Sequence, residues 1–131
     1  MMKISVKRGD IFNASIDPTV VLGQDRTQPV LVVQNDKSNQ HNSTIVIVPI
    51  TCYLSKKPLY THVSIPKHFG MIENSHALVE QIRTIDRSCL YDYIGRIDNN
   101  VQEEIDTISV GILTLSNLCH KHFESTRLKM K

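Results

Sequence analysis

The segment QPVLVVQNDKSNQHNSTIVIVPI, residues 28–50, holds two apolar runs, at 30–33 and 44–50, around a polar interval at 35–43. Short β-branched and aliphatic runs bounded by turn formers read as buried strands. An interval so rich in Asn, Asp and Ser reads as the turn between them. The pair is expected at the centre of a small antiparallel sheet. Pro49 marks a bulge or an edge where the second strand ends, because proline has no N–H to give a ladder.

Working outward, IFNASI alternates Phe12, Ala14 and Ile16 with Asn13 and Ser15, the period of a strand with one wet face. DPTVVLGQDRTQ carries Pro18, Gly23 and two Asp and reads as a long loop. Downstream, THVSI, HALVEQIRTI and YIGRI each add a strand candidate. At Asp98 the period changes. Val101, Ile105, Ile108, Ile112, Leu115 and Cys119 recur at steps of four and three, which predicts a helix of about five turns. Asn100 and Glu103 resemble a capping box, Glu103 and Glu104 suit the positive end of the helix dipole, and Gly111 is the weak point. The expected architecture is mainly β with a C-terminal helix, one domain over residues 1–119. A basic polar tail over 120–131 is expected to be partly disordered.

Composition excludes more than it identifies. A chain of 131 residues fits one ordinary domain. Its formal charge of +2 is too mild for a general polyanion binder. Aromatic residues are 5% and Trp is absent, so contact with a nucleic acid must rest on polar groups and a few Tyr and Phe. An odd, widely spaced set of cysteines, Cys52, Cys89 and Cys119, and a start without an apolar export core suggest a reducing cytoplasm. No apolar run approaches the ~20 residues of a membrane span.

The residues with chemical potential each have a plain alternative. Cys119, His120 and His122 are soft and imidazole donors close together, but a fourth ligand at zinc spacing is lacking, so no metal is expected. Cys52 with His62 as base has the types for nucleophilic catalysis, yet no hydrolase signature surrounds it, and a buried strand-end thiol is the simpler reading. His41, His68 and His76 sit in or beside polar turns and read as solvated.

Taken together, VKRGDIF, DPTV, PVLVVQND, VPIT, PLYTHVSI, Phe69–Gly70 and above all LVEQIRTID (78–86) resemble the MazF/PemK toxins in order and spacing, from Lys7 to about Leu115. The resemblance implies a small, bent β-barrel of the Src-homology-3 type with packed helices, forming a two-fold homodimer. It implies a small, acidic, partly disordered antitoxin as partner. It also implies a cofactor-free, metal-independent endoribonuclease acting on single-stranded mRNA. Such an enzyme borrows the substrate's own 2′-hydroxyl as nucleophile, so the protein need only align it, move protons and stabilise the phosphorane.

In this family an arginine before the proline of the second strand supplies charge, helped by a threonine ending the third. Thr51 matches the threonine, but Gln28 stands where the arginine is expected. An amide donates hydrogen bonds without bringing charge or titrating near neutrality. Arg26 is two residues back, so in extended chain it points to the same side about 7 Å away, within a side chain's reach; its other reading is a solvated loop arginine. Asp17, Thr19 and Gln81 match groove positions suited to reading base edges. Arg8 is the basic candidate for phosphate contact, with Lys7, Lys56 and Lys57. Glu80 and Arg83 are read as a structural pair along their strand.

Overall fold

Alternation in the two apolar runs sends successive side chains to opposite faces of a strand. Both faces are covered here, which is why the runs are continuously apolar rather than alternating. The computed structural model describes residues 5–16, 27–54 and 57–113. In chain order the elements are β1 (Asp10–Ala14), β2 (Gln28–Val32), α1 (Asp36–His41), β3 (Thr44–Thr51), β4 (His62–Ile65), β5 (Ser75–Leu78), β6 (Arg83–Asp86), β7 (Leu90–Arg96) and α2 (Asn99–Leu113). Short 3-10 turns lie at Lys67–Phe69, Val79–Gln81 and Arg87–Cys89. The fold is mainly β with a C-terminal helix, as expected.

All strand pairs are antiparallel, in the order β4-β5-β3-β2-β1-β7, with β6 also on β3. Leu31, Val48 and Ile50 face one core with Ile11, Val63, Ile65 and Ile105. Val30, Val32, Ile45 and Ile47 face the other with Phe12, Ala14 and Ile85. Ile11 is fully buried, so β1 has apolar contacts on both faces, not the one wet face its alternation predicts.

Three further local expectations are corrected. The interval 35–43 is not a bare turn, because it holds α1. The Asn35 side chain accepts from the Ser38 amide and so supplies an N-cap. Behind the cap, the buried Gln34 donates to Asn39 Oδ1 at 2.9 Å and to Thr44 O at 3.1 Å, and Asn39 Nδ2 returns a bond to Gln34 O at 2.8 Å. The polar letters of QND are thus a satisfied latch.

The run HALVEQIRTI is two strands, not one. β5 pairs with the end of β3 at Ile50 and Thr51, whereas β6 pairs with its start, Thr44 to Ile47. The turn Val79–Gln81 carries the chain across the interval between them. That interval also accommodates Pro49. Val33 N donates to Val46 O, and hydrogen-bonded pairs alternate along an antiparallel ladder, so the facing pair Val30 and Pro49 exchanges no bond. The proline nitrogen therefore points to the other edge, where β6 has ended and β5 has not begun.

The helix begins before Asn100. Asp98 Oδ1 accepts from Val101 N at 2.9 Å, and Asp98 O accepts from Gln102 N at 3.0 Å, making Asp98 the cap. Ile105 is buried in the first core, with Val101, Ile108 and Ile112 packed against it, so the predicted stripe is the docking face. Leu115, Cys119 and the tail 120–131 lie outside the described residues.

Pairing does not close the sheet into a barrel: among the described residues no ladder joins β4 to β7. A backbone crossing brings the two ends together instead. Gly70 adopts φ +117, and its Cα comes within 3.2 Å of where a Cβ on Gly95 would lie. A Cβ there would overlap the Phe69 carbonyl, and one on Gly70 would overlap that of Ile94. Both neighbours are backbone, so neither can yield as a flexible side chain does. Asp10, 6% exposed, ties the same region by accepting from Arg96 Nη1 at 2.7 Å and from Lys7 N at 2.8 Å.

Gly95→Ala is expected to lower unfolding stability by about 3 kcal/mol or more, the upper range for overpacking. Gly111→Ala, with nothing within 4 Å of the added methyl, is expected to raise it by about 1 kcal/mol. Urea melts of the two variants check the contrast, and equal effects would contradict the crossing.

Candidate active site groove

β2 begins at Gln28 and β3 ends at Thr51. Val30 faces Pro49, so the same register carried two residues further sets Gln28 against Thr51. Both residues are half-buried and both line two adjoining hollows. One, of about 540 Å³, is walled by Asn13, Cys52, Met71 and Ile94; the other, of about 450 Å³, by Tyr53, Lys57, Glu80 and Gln81. Sharing Gln28 and Thr51, the two form one groove. Its first arm is floored at Gly70 and Ile94 by the crossing that joins the ends of the sheet.

Thr51 makes a local turn. Its Oγ1 donates to Tyr53 O at 3.0 Å and accepts from Tyr53 N at 3.2 Å, so its proton is engaged until a substrate draws it away. Gln28 contributes an amide at the meeting point of the arms. Among the described residues lining either arm, Lys57 is the only lysine or arginine.

Glu80 is the best-held polar group. It stands on the 3-10 turn that splits HALVEQIRTI, and the same turn presents Gln81 to the groove. Thr61 Oγ1 donates to Glu80 Oε1 at 2.7 Å, and His62 Nε2 lies 3.0 Å from Oε2. Leu59 N donates to His62 Nδ1 at 3.0 Å. That bond requires an unprotonated Nδ1, so in neutral His62 the proton sits on Nε2 and faces the carboxylate. Burial alone would raise the Glu80 pKa. Hydrogen bonds from Thr61, from its own backbone N–H and from His62 outweigh it and hold the carboxyl below its ordinary value of 4.5.

Of the residues expected from sequence, Gln28, Thr51 and Gln81 are brought together here. Asp17, Thr19 and Arg26 lie outside the described residues. Arg8 lies in a different hollow, beside Val33 and Ser109, where its guanidinium pairs with Asp106 of α2. Glu80 takes Thr61 and His62 as partners rather than Arg83. Cys52 is exposed rather than buried, and both ring nitrogens of His62 are engaged elsewhere, so the two form no nucleophile and base. Among the described residues no three His, Cys, Asp or Glu side chains are grouped to hold a metal; Cys119, His120 and His122 are not among them. Sequence reading missed Glu80, His62 and Tyr53 as groove residues. Glu80 and Tyr53 are signalled only by their nearness in sequence to Gln81 and Thr51, and His62 by nothing local, since strand pairing brings it to Glu80.

The chain matches a known class of protein. The family model of the PemK-like, MazF-like toxin of type II toxin-antitoxin systems matches residues 7–108. Endoribonuclease EndoA of Bacillus subtilis (strain 168) is 41% identical over 102 residues, covering 77% of this chain and 88% of its own. The chain therefore belongs to the PemK-like, MazF-like toxin family. Among solved structures, an endoribonuclease from a Mycobacterial species superposes with a TM-score of 0.70 at 20% identity, covering 88% of this chain and 97% of its own. A Mycobacterial endoribonuclease in complex with its cognate antitoxin gives 0.70 at 21% identity, covering 85% and 97%. At such identities these structures support the fold. Among the described residues no helix is long and apolar enough to cross a membrane.

A carboxyl whose folded pKa is depressed adds stability above its unfolded value and loses it as pH falls through the folded one. The stability difference between the native chain and Glu80→Gln is therefore expected to be full at neutral pH and to shrink as the pH drops below about 4.5. Urea midpoints across that range measure it. A difference that stays constant on acidification would mean the carboxylate's bonds contribute nothing to folding.

Proposed function

We propose that this chain is the toxin of a type II toxin-antitoxin system and cuts single-stranded mRNA at the groove where Gln28 meets Thr51. The observation that carries the reading is the placement of these two residues at one point of a groove, in a chain 41% identical to an endoribonuclease. The reaction needs no metal. The 2′-hydroxyl gives up its proton to water as it attacks the adjacent phosphorus in line, the P–O5′ bond breaks, the departing O5′ takes a proton from water, and the products are a 2′,3′-cyclic phosphate and a 5′-hydroxyl. Thr51 Oγ1 and the Gln28 amide donate hydrogen bonds to the non-bridging oxygens as charge builds there. Arg26, two residues before Gln28 in the sequence, supplies the positive charge that Gln28 lacks. The protein works as a cytoplasmic homodimer, and a small acidic antitoxin covers the groove, in keeping with the Mycobacterial complex.

The neutral Gln28 favours a second reading, a slowed or inactive homologue that binds RNA or antitoxin without turnover. Losing one well-aimed donor to a developing oxyanion costs about 3–4 kcal/mol, or about 10²–10³ in rate.

Incubation of the chain with a labelled single-stranded RNA in EDTA, with end analysis of the products, separates the two. Expected are cyclic phosphate ends, loss of cleavage in Arg26→Ala and in Thr51→Val, and a rise of about 10²–10³ in Gln28→Arg. Cleavage found only in Gln28→Arg would establish the second reading. Cleavage indifferent to all three substitutions would remove this groove from the chemistry.

A further inference from the structure

The arm of the groove beyond Thr51 has the make-up of a nucleobase pocket. Its volume, about 450 Å³, lies within the usual range for small-ligand sites, about 300–1,000 Å³. Leu54, Leu59 and Leu78 line it, and the Tyr53 ring, 73% exposed, stands where a base can stack.

Its hydrogen-bonding groups are unequal. An ionised carboxylate has about four acceptor sites and no donor. At Glu80, Thr61, His62 and the backbone N–H fill three, and the side chain is still 29% exposed. His62 has nothing left to offer, since Nδ1 is spent on Leu59 and Nε2 on Glu80. The Thr51 proton is given to Tyr53 O. The carboxylate is therefore the side chain held by these neighbours that keeps an open site, and it is an acceptor; Lys57, also in this arm, is an exposed donor held by none of these bonds. The exposed Gln81 amide next to Glu80 presents a donor or an acceptor as required.

We propose that Glu80 is a specificity-determining residue that selects, at one position of the RNA, a base carrying an exocyclic amino group and rejects uracil. The amine of cytosine or adenine donates to the open site on Glu80, while the Gln81 amide donates to the adjacent ring nitrogen. Uracil places a carbonyl oxygen where the amine would be, against a carboxylate that has no proton to give. Thr61 and His62 are positioning residues: they fix the carboxylate and its charge without touching the base.

The inference rests on the RNA-binding reading of the groove, and binding tests it without requiring turnover. A pool of short single-stranded RNAs of randomised sequence is equilibrated with the full chain, and the retained fraction is sequenced. One position is expected to favour amino-bearing bases over uracil by about tenfold, the size of a single good base contact. Replacing that base by its carbonyl counterpart, cytosine by uracil or adenine by hypoxanthine, should weaken binding to the native protein equally. Glu80→Gln, whose amide can turn an N–H toward a carbonyl, should erase the preference, so that uracil-bearing RNAs are retained as well as amino-bearing ones. RNA retained with a preference that Glu80→Gln leaves unchanged overturns this inference alone. A chain that retains no RNA overturns it together with the function on which it rests.

Discussion

The molecule depends on a backbone crossing. After β4 the chain turns at Gly70 and lies against β7 at Gly95, closely enough that a methyl on either glycine would meet a backbone carbonyl of the other segment. Strand pairing leaves β4 and β7 at opposite ends of the ladder, so this contact does what hydrogen bonds would do in a closed barrel. Gly70 and Ile94 of the crossing also line the groove, as do Met71 and Ile72 just beyond it. Sheet closure and site construction are one geometric event.

β3 provides the second half of the construction. Because it pairs with β6 at its start and β5 at its end, the intervening chain must step across it, and a 3-10 turn makes the step. That turn puts Glu80 and Gln81 in the groove that Thr51 enters from the end of β3. A continuous strand over the same residues would alternate its side chains about one plane and would not hold two neighbours at the same hollow.

The apolar alternation of β2 and β3 was legible because it reports burial directly, and so was the stripe of Val101, Ile105, Ile108 and Ile112 that docks α2. Boundaries were less so. Asn100 and Asp98 are both good caps by type, and only the bond from Val101 distinguishes them. The split in HALVEQIRTI was hidden because strand propensity is a property of single residues, whereas the break comes from the register of a third strand. At the site, Thr51, Gln28 and Gln81 could be reached only through family resemblance. His62 and Glu80 are 18 residues apart and meet through the pairing of β4 with β5, which no local pattern encodes. Arg8, attractive as a cation in the sequence, is neutralised by Asp106 from the far end of the chain.

For the RNA-cutting function proposed, the groove's charge determines which part of the strand it would hold. Its described lining carries Glu73 and Glu80 against Lys57, with Gln28 neutral at the centre. Phosphates gain little from such a surface, since their attraction comes from cations and the counterions these release. Phosphate contacts position a strand but carry no sequence information, whereas base-edge contacts do. A lining poor in cations and furnished with amides, a fixed carboxylate and a tyrosine ring shifts the balance toward the bases. With the neutral Gln28 at its centre, affinity in this groove would be tied to sequence more closely than in one with arginine at position 28.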